Sequence, residues 1–370
     1  MGHIRFEQIS RGVNMINTGQ RGRIAALNAF SALPYLLPFM LLGAPEASAA
    51  SCSADTLEKL ISSAATDTRP IEIDCDLTLT KNAVIAMPIA FSGSRASGTT
   101  LDCNGATLDG TKPKARTIVI RSVQRKDGSW DTPRDIHIRN CTIKGDIRIE
   151  GLGHNGEAER VRESSLRPGH TQRAQSIAPS DIVLSQNRFI ANVGTPVYIA
   201  PGVTNVIVEN SRFTGKTVSA VIYLDAESAR NRVIGNTFET SSSQREIIAI
   251  DGSAENLIEK NTFVNPVKGG VFLYRNCGEG GTIRHQAPQR NVISGNSFRY
   301  KDWLAMPAVW LGSRQGVRKY CMTRPTAPFG SGASPLDYAQ NNRVTGNRLS
   351  GGVATFVLNS DANNVVSDNR

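Results

Sequence analysis

Val233-Ile234-Gly235-Asn236-Thr237-Phe238 is followed, 25 residues later, by Leu257-Ile258-Glu259-Lys260-Asn261-Thr262-Phe263. Working outward, the same unit stands at Asn187-Arg188-Phe189 and Ser211-Arg212-Phe213 upstream. Downstream it recurs at Asn296-Ser297-Phe298 and Asn347-Arg348-Leu349. A β-branched or aliphatic pair comes just before each slot: Ile182-Val183, Val206-Ile207, Val233-Ile234, Leu257-Ile258, Val292-Ile293, with Val344 alone in the last. The slot spacings are 24, 25, 25, 35 and 51, then 22 to Asn369. Each unit carries a second short alternating stretch, at 197–200, 222–225, 248–251, 272–274, 309–311 and 356–358. A period near 25 with several β-branched strands per repeat and Asn or Gly at the corners has one good physical solution. Each unit is one coil of a right-handed parallel β-helix, an all-β solenoid, with inward side chains stacked about 4.8 Å apart. The recurring Asn is then a structural ladder inside a turn. Cys141, in Ile136-His137-Ile138-Arg139-Asn140-Cys141-Thr142-Ile143, occupies the same slot one coil earlier, and Cys103 precedes it.

Composition fits such a chain. Its 370 residues are 39% hydrophobic and 20% charged, enough for a sizeable core, and only 6% are aromatic while 33 are Gly. Disorder and a helical bundle are both disfavoured. Lys and Arg exceed Asp and Glu by 10, a mild bias toward anionic partners.

Residues 1–49 read as a signal peptide. Arg21 and Arg23 precede an apolar run from Ile24 to Gly43, and Ala47-Ser48-Ala49 follows as a cleavage-type site. Met15 is a second candidate initiator. Cleavage before Ala50 leaves 321 residues and a net charge of +8 (38 basic against 30 acidic). An uncleaved anchor is the alternative, and the only membrane association expected; Pro34 and Pro38 argue against it. All six cysteines lie beyond the run and none forms Cys-x-x-Cys, so disulfides of an oxidising compartment are expected. The pairing expected is Cys52–Cys75, Cys103–Cys141 and Cys277–Cys321. The protein is therefore expected to be periplasmic or secreted. Residues 50–100 would form an N-terminal cap and first strands, and 101–370 the β-helix.

From about residue 70 onward the chain resembles the pectin-lyase-like superfamily of right-handed β-helix proteins. The resemblance rests on the repeat, the Asn slots and the Leu-Asp-x-Asn-Gly segment beginning at Leu101. It implies the fold, and a superfamily that includes pectate and alginate lyases, polygalacturonases, mannuronan epimerases, phage tailspikes and non-enzymatic surface proteins. The Asn-Thr-Asp and Gly-His-Gly patterns of polygalacturonases are missing. So are the Asp-Pro-His-Asp motif of the epimerases and the Arg-x-Pro-x-x-Arg motif of pectate lyases. No catalytic residue is carried over.

Function is sought where the period breaks, because insertions in a solenoid map to loops on one face. Three insertions, near 153–178, 276–290 and 313–340, leave the same strand edge and would wall a groove along one flank. The first reads as a mobile lid or flap. Strand alignment puts Glu150, Ala200, Asp225, Asp251, Tyr274, Gly312 and Asn359 at one outward position, with Ile149, Ile199, Leu224, Ile250, Leu273, Leu311 and Leu358 inward. Asp225 and Asp251 become rung neighbours, a pairing that raises one carboxyl pKa and suits acid–base work; both could equally cap turns. Tyr274 and His285 are candidates to move protons. Arg275, Glu279, Arg284, Arg314 and Lys319 are candidates for binding substrate, the arginines as bidentate partners of a sugar carboxylate. Glu227, Arg245 and Glu246 flank the aspartates. No metal-ligand spacing occurs, so neither metal nor cofactor is expected.

The leading expectation is an exported lyase or epimerase acting on an acidic, uronate-containing polysaccharide. A glycoside hydrolase using Asp225 and Asp251, or a non-catalytic glycan-binding or envelope scaffold protein, are the alternatives. A nucleic-acid partner is not expected. The sequence ends in mid-rung at Asn369-Arg370, and an uncapped strand edge there leaves three alternatives open: a chain that continues further, a partner that covers the end, or a homo-oligomer formed through it.

Overall fold

The computed structural model describes residues 49–62, 69–111, 116–301, 305–323, 325–352 and 355–370. The signal-peptide expectation for 1–49 lies almost wholly outside them. Coils begin at Ile71, and every described coil but the last contributes one short parallel strand to each of three long sheets. The first sheet runs from Ile71–Glu72 through Val197–Ile199, Ile222–Leu224, Ile248–Asp251 and Val271–Tyr274 to Val309–Leu311 and Val357–Asn359. The second runs from Leu77–Thr78 to Val365–Ser367, and the third from Val84–Ile85 to Arg348–Ser350. Upstream, the helix Ala54–Ser62 buries Leu60 against the first coil's core.

The repeat units form these coils because two corners recur with fixed backbone geometry. The residue just before each Asn slot has a left-handed backbone: Asn140, Gln186, Asn210 and Lys260 with φ between 48° and 56°, and Gly235, Gly295 and Gly346 near 62–66°. Asn is among the side chains that tolerate this region best, and Gly meets no steric cost there. Each slot side chain then receives the backbone N–H of the preceding coil. Asn236, Asn261, Asn296, Asn347 and Asn369 link by Nδ2–H···Oδ1 bonds of 2.8–3.0 Å. A second asparagine ladder, not apparent from the repeat alignment, guards the other corner through Asn231, Asn256, Asn291, Asn342 and Asn364. It too follows a left-handed residue in every coil, from Arg230 to Asn363.

Between the corners the interior is a set of aliphatic and aromatic stacks. Phe189, Phe213, Phe238, Phe263 and Phe298 stack with centroids 4.5–4.9 Å apart, one rung each. The three disulfides are Cys52–Cys75, Cys103–Cys141 and Cys277–Cys321. Cys103 and Cys141 sit on neighbouring coils with Cα atoms 4.8 Å apart, so that bridge is itself a rung contact. Such bonds belong to an oxidising compartment. No helix among the described residues is long and apolar enough to cross a membrane.

Two expectations need correction. In the last coil Leu311 pairs with Asn359 and Trp310 with Leu358, one residue off the sequence alignment. The inward position opposite Leu311 is thus held by Asn359 in place of Leu358. The segment 153–178 is no flap. It folds into the helices Glu159–Ser165 and His170–Ile177, anchored by Gln175 Nε2 donating to the Glu227 carbonyl at 2.8 Å and by Thr171 Oγ1 donating to the Glu227 carboxylate.

Candidate functional site

The three insertions leave the C-terminal ends of first-sheet strands, after Glu150, Tyr274 and Leu311. They are bound to each other as well as to the coils. Glu227 accepts the backbone N–H groups of His285 (2.7 Å) and Gln286 (3.1 Å) while holding the helix pair, so one carboxylate joins the first insertion to the second. Asp337 accepts the N–H groups of Arg275, Arg314 and Gln315 at 2.8–3.1 Å, and Cys277–Cys321 closes the same junction covalently. The walls are therefore built parts of the fold.

The floor is the outer face of the first sheet. Alternation turns Val197, Ile199, Ile222 and Leu224 inward and leaves Tyr198, Tyr223, Ala249, Phe272 and Trp310 outward on successive rungs. Tyr198 and Tyr223 stack at 5.2 Å, with the Arg148 guanidinium 4.1 Å above the Tyr198 ring. This aromatic row lies outside the sequence-based expectations, which centred on the carboxylates, cations and proton-moving groups of the groove. Its only sequence signal is an aromatic residue between two aliphatic ones in four of these five short strands, Ala249 being the exception.

Two cavities open on this floor and share Arg245. The first, about 220 Å³, is lined by Tyr198, Tyr223, Asp225, Asn276, Glu279 and Arg284, with Asn155, Gly156 and Glu157 of the helical insertion above. The second, about 340 Å³, is lined by Arg245, Glu246, Lys268, Tyr274, Arg314 and Arg318 around Phe272 and Trp310. Among those side chains the second cavity carries an excess of cations.

Asp225 is 2% exposed. Its Oδ1 accepts the Ala226 N–H at 2.8 Å, and its Oδ2 accepts the Tyr198 hydroxyl. Burial, reinforced by the charge of neighbouring Asp251, pushes this carboxyl up to about 6 against the downward pull of Arg284 and of the Tyr198 bond. Asp251 occupies the next rung, fully buried below the cavity lining. It accepts Tyr223 Oη–H (2.7 Å), the Asn276 N–H (2.9 Å) and Asn276 Nδ2–H (2.7 Å). Asn276 also donates to Glu279 at 2.8 Å, which orients that carboxylate into the cavity.

Arg284 is the least satisfied group in the site. Its Nη1 lies 3.8 Å from Asp225 Oδ1, and both Nε and Nη1 are buried without a hydrogen-bond partner among the described residues. Burial works against its charge, yet Asp225 and Asp251 more than restore it, so it remains a cation. Gly156 makes this approach feasible, since a Cβ there would fall 2.0 Å from Arg284 Nη1. In the second cavity Tyr274 donates to Glu246 Oε1 at 3.0 Å and lies under Arg314, whose guanidinium is 3.7 Å from the ring centroid. Burial and then the Glu246 charge hold the Tyr274 phenol far above its usual range, so it stays protonated. Arg245 clamps Glu246 with two bonds of 2.8 and 3.1 Å.

The structure thus gathers Asp225, Asp251, Tyr274, Glu279, Arg284 and Arg314 along one groove. It leaves three other candidates outside the lining. His285 Nε2 bonds the Ser165 carbonyl at 2.7 Å, and its ring packs on Phe329 and His170. Arg275 donates to the carbonyls of Ser334 and Leu336 and faces the Tyr338 ring, bracing the third insertion. Lys319 is exposed on the short helical turn Lys319–Thr323. Among the described residues no group of three or more His, Cys, Asp or Glu could hold a metal ion.

The family described as "Right handed beta helix region" matches residues 128–302. No curated protein matches the chain. Solved structures with a similar chain path include an alginate lyase from Paenibacillus sp. FPU-7, 10% identical, covering 83% of this chain and 98% of that one, with a TM-score of 0.44. PfbA, a surface adhesin of Streptococcus pneumoniae, is 14% identical over 80% of this chain and 67% of its own, with a TM-score of 0.41. The mannuronan C-5 epimerase AlgE6 A-module of Azotobacter vinelandii is 10% identical over 80% of each chain, with a TM-score of 0.33. Likeness at this level concerns the path of the chain and not its chemistry. With three parallel sheets wound coil upon coil and a right-handed β-helix family match over residues 128–302, the chain folds as a right-handed parallel β-helix.

Proposed function

We propose that the groove binds an acidic polysaccharide and cleaves it by β-elimination at a uronate ring. The observation that carries this reading is Arg284, a fully buried guanidinium with two unused donors beside a carboxyl whose pKa stands near 6. Buried donors without partners are costly, and a planar carboxylate is the ligand that a guanidinium fork satisfies best. A uronate carboxylate on Arg284 has its charge neutralised, which acidifies the adjacent C5–H. Asp225, as carboxylate, accepts that proton. The released pair forms the C4=C5 double bond as C4–O4 breaks, and the proton passes from Asp225 to the departing oxygen. Tyr198 holds Asp225 in place, and the 340 Å³ cavity with Arg245, Lys268, Arg314 and Trp310 receives a neighbouring sugar.

The test is incubation of the disulfide-bonded protein with alginate, polygalacturonate and hyaluronan, with dextran as a neutral control. New reducing ends and the ultraviolet absorbance of an unsaturated uronate are followed together. Both signals rising on a uronate polymer is the expected result. Arg284→Lys keeps the charge but loses the fork, and is expected to cut turnover by about 100-fold or more. Reducing ends without absorbance would replace elimination with hydrolysis, on Asp225 and Glu279. Silence on every polymer would overturn the reading.

A further inference from the structure

A third cavity, of about 480 Å³, lies on the other side of the helical insertion and belongs to neither groove cavity. It is bounded by the helices Glu159–Ser165 and His170–Ile177 and by the antiparallel pair Val123–Gln124 and Trp130–Asp131. That pair follows the first-sheet strand Ile118–Arg121, one coil before the helices emerge, so the cavity is walled by excursions from two successive rungs. Its floor is apolar, with Trp130, Leu152 and Ile177, and its rim is basic, with Arg160, Arg167 and Arg173 against a single carboxylate, Glu163.

The three arginines are not equivalent. Arg173 is consumed by the fold, donating to Ser164, Pro168 and Arg167. Arg160 and Arg167 form no ion pair among the described residues, whereas Arg162 on the same helix pairs with Glu159. The Arg160 guanidinium lies 5.5 Å from the Trp130 ring centroid, and Trp130 is half-buried, so the indole is fixed while still open at the cavity. A half-buried indole with Arg160 over its ring, and two guanidinium groups without an ion pair among the described residues, offer a stacking face for a sugar ring and bidentate donors for its acidic substituent.

We infer that this cavity is a second binding site for an anionic glycan, separate from the cleavage groove. The inference rests on the proposed substrate class for the chemical nature of its ligand, but not on any turnover. Residues 152–164 contribute to both sites, with Asn155, Gly156 and Glu157 over Asp225 and Leu152, Arg160 and Glu163 on the far side. A long chain could therefore be held at both places at once, and its affinity would exceed that of a short one by the gain of a second, tethered contact.

The experiment is calorimetric titration with trimers and dodecamers of oligouronates prepared from alginate and polygalacturonate. The wild-type protein is compared with Trp130→Ala and with Arg160→Ala/Arg167→Ala. A control, Lys216→Ala/Arg348→Ala, removes equal charge from the third sheet. Dodecamer affinity is expected to fall at least 10-fold in both site variants and less than 2-fold in the control, while trimer binding and trimer turnover stay within 2-fold of wild type. Loss of dodecamer binding in the site variants of a protein that cleaves nothing would sustain this inference and sink elimination. Unchanged dodecamer affinity, an equal loss in the control, or no binding of either oligouronate by wild type would overturn it. Melting temperatures check the fold of each variant, and the arginine pair, being at the surface, keeps the test valid if Trp130→Ala unfolds.

Discussion

Asp225→Asn is expected to abolish uronate cleavage, by about 1,000-fold or more, and at the same time to stabilise the protein at neutral pH. The two effects share one cause. The carboxyl stands near 6 in the fold against an ordinary 3.8, because it is buried beside Asp251. Between those values the unfolded chain gives up its proton first, so it binds fewer protons than the native state. Native stability therefore falls as pH rises from about 4 to about 6, and the loss persists above. Two pKa units correspond to about 3 kcal/mol at most. That balance already contains the help from Arg284 and Tyr198. Asn carries one acceptor oxygen where the carboxylate has two, so either the Ala226 or the Tyr198 bond is lost at about 1 kcal/mol. A net gain of about 1–2 kcal/mol remains. Thermal melts of wild type and variant should coincide near pH 4 or favour wild type slightly, and diverge in favour of the variant by pH 7. A variant equally destabilised at both pH values would mean that the ionised carboxylate is welcome in its site. Wild-type kcat/KM should rise as pH passes about 6, where Asp225 becomes the base.

The largest loss of stability is expected from Asn261→Ala. Asn261 Oδ1 accepts the backbone N–H of Asn236 at 2.9 Å and its Nδ2–H at 3.0 Å. Its own Nδ2 donates to the Val233 carbonyl at 2.8 Å and to Asn296 Oδ1 at 3.0 Å. Truncation leaves all these partners buried with no water to replace the amide. An unsatisfied buried polar group costs about 1–3 kcal/mol, so a total loss near 4 kcal/mol is expected after local relaxation. Asn369→Ala removes the corresponding acceptor from Asn347 on the last described rung, where the side chain is half-buried. Solvent can take over there, and a loss below about 1 kcal/mol is expected. Urea melts of the two variants under one protocol measure the contrast. Equal losses would show that the ladder follows the corners and does not support them.

The repeat in the sequence was sufficient for the coil because every repeated position is constrained by both neighbours. Phe238 must match Phe213 and Phe263, and Asn261 must match Asn236 and Asn296; a pattern repeated along the chain is an alignment of the chain with itself. The same logic explains the second asparagine ladder, which begins only at Asn231 because Val206 holds the slot one coil before. Cys103–Cys141 was legible for the same reason, as two residues in equivalent places on adjacent rungs.

The site is different in kind. Asp225 and Asp251 could be placed side by side from register, since both stand on the repeat. The company they keep could not. Arg284 arrives from an insertion 59 residues downstream of Asp225, Gly156 from another upstream, and Glu227 and Asp337 bind the insertions through backbone N–H groups that no side-chain pattern announces. His285 and Arg275 stand in the same polar run as Arg284, yet their side chains turn to carbonyls of Ser165 and Ser334 and away from the groove. The sequence by itself determined the coil, the corner at the Asn slot, the Cys103–Cys141 bridge and the edge from which the loops depart, because those depend on short-range geometry repeated many times. The tertiary structure alone decided which residues of the loops meet, because each of those contacts occurs once and is set by how three unlike insertions pack over one sheet.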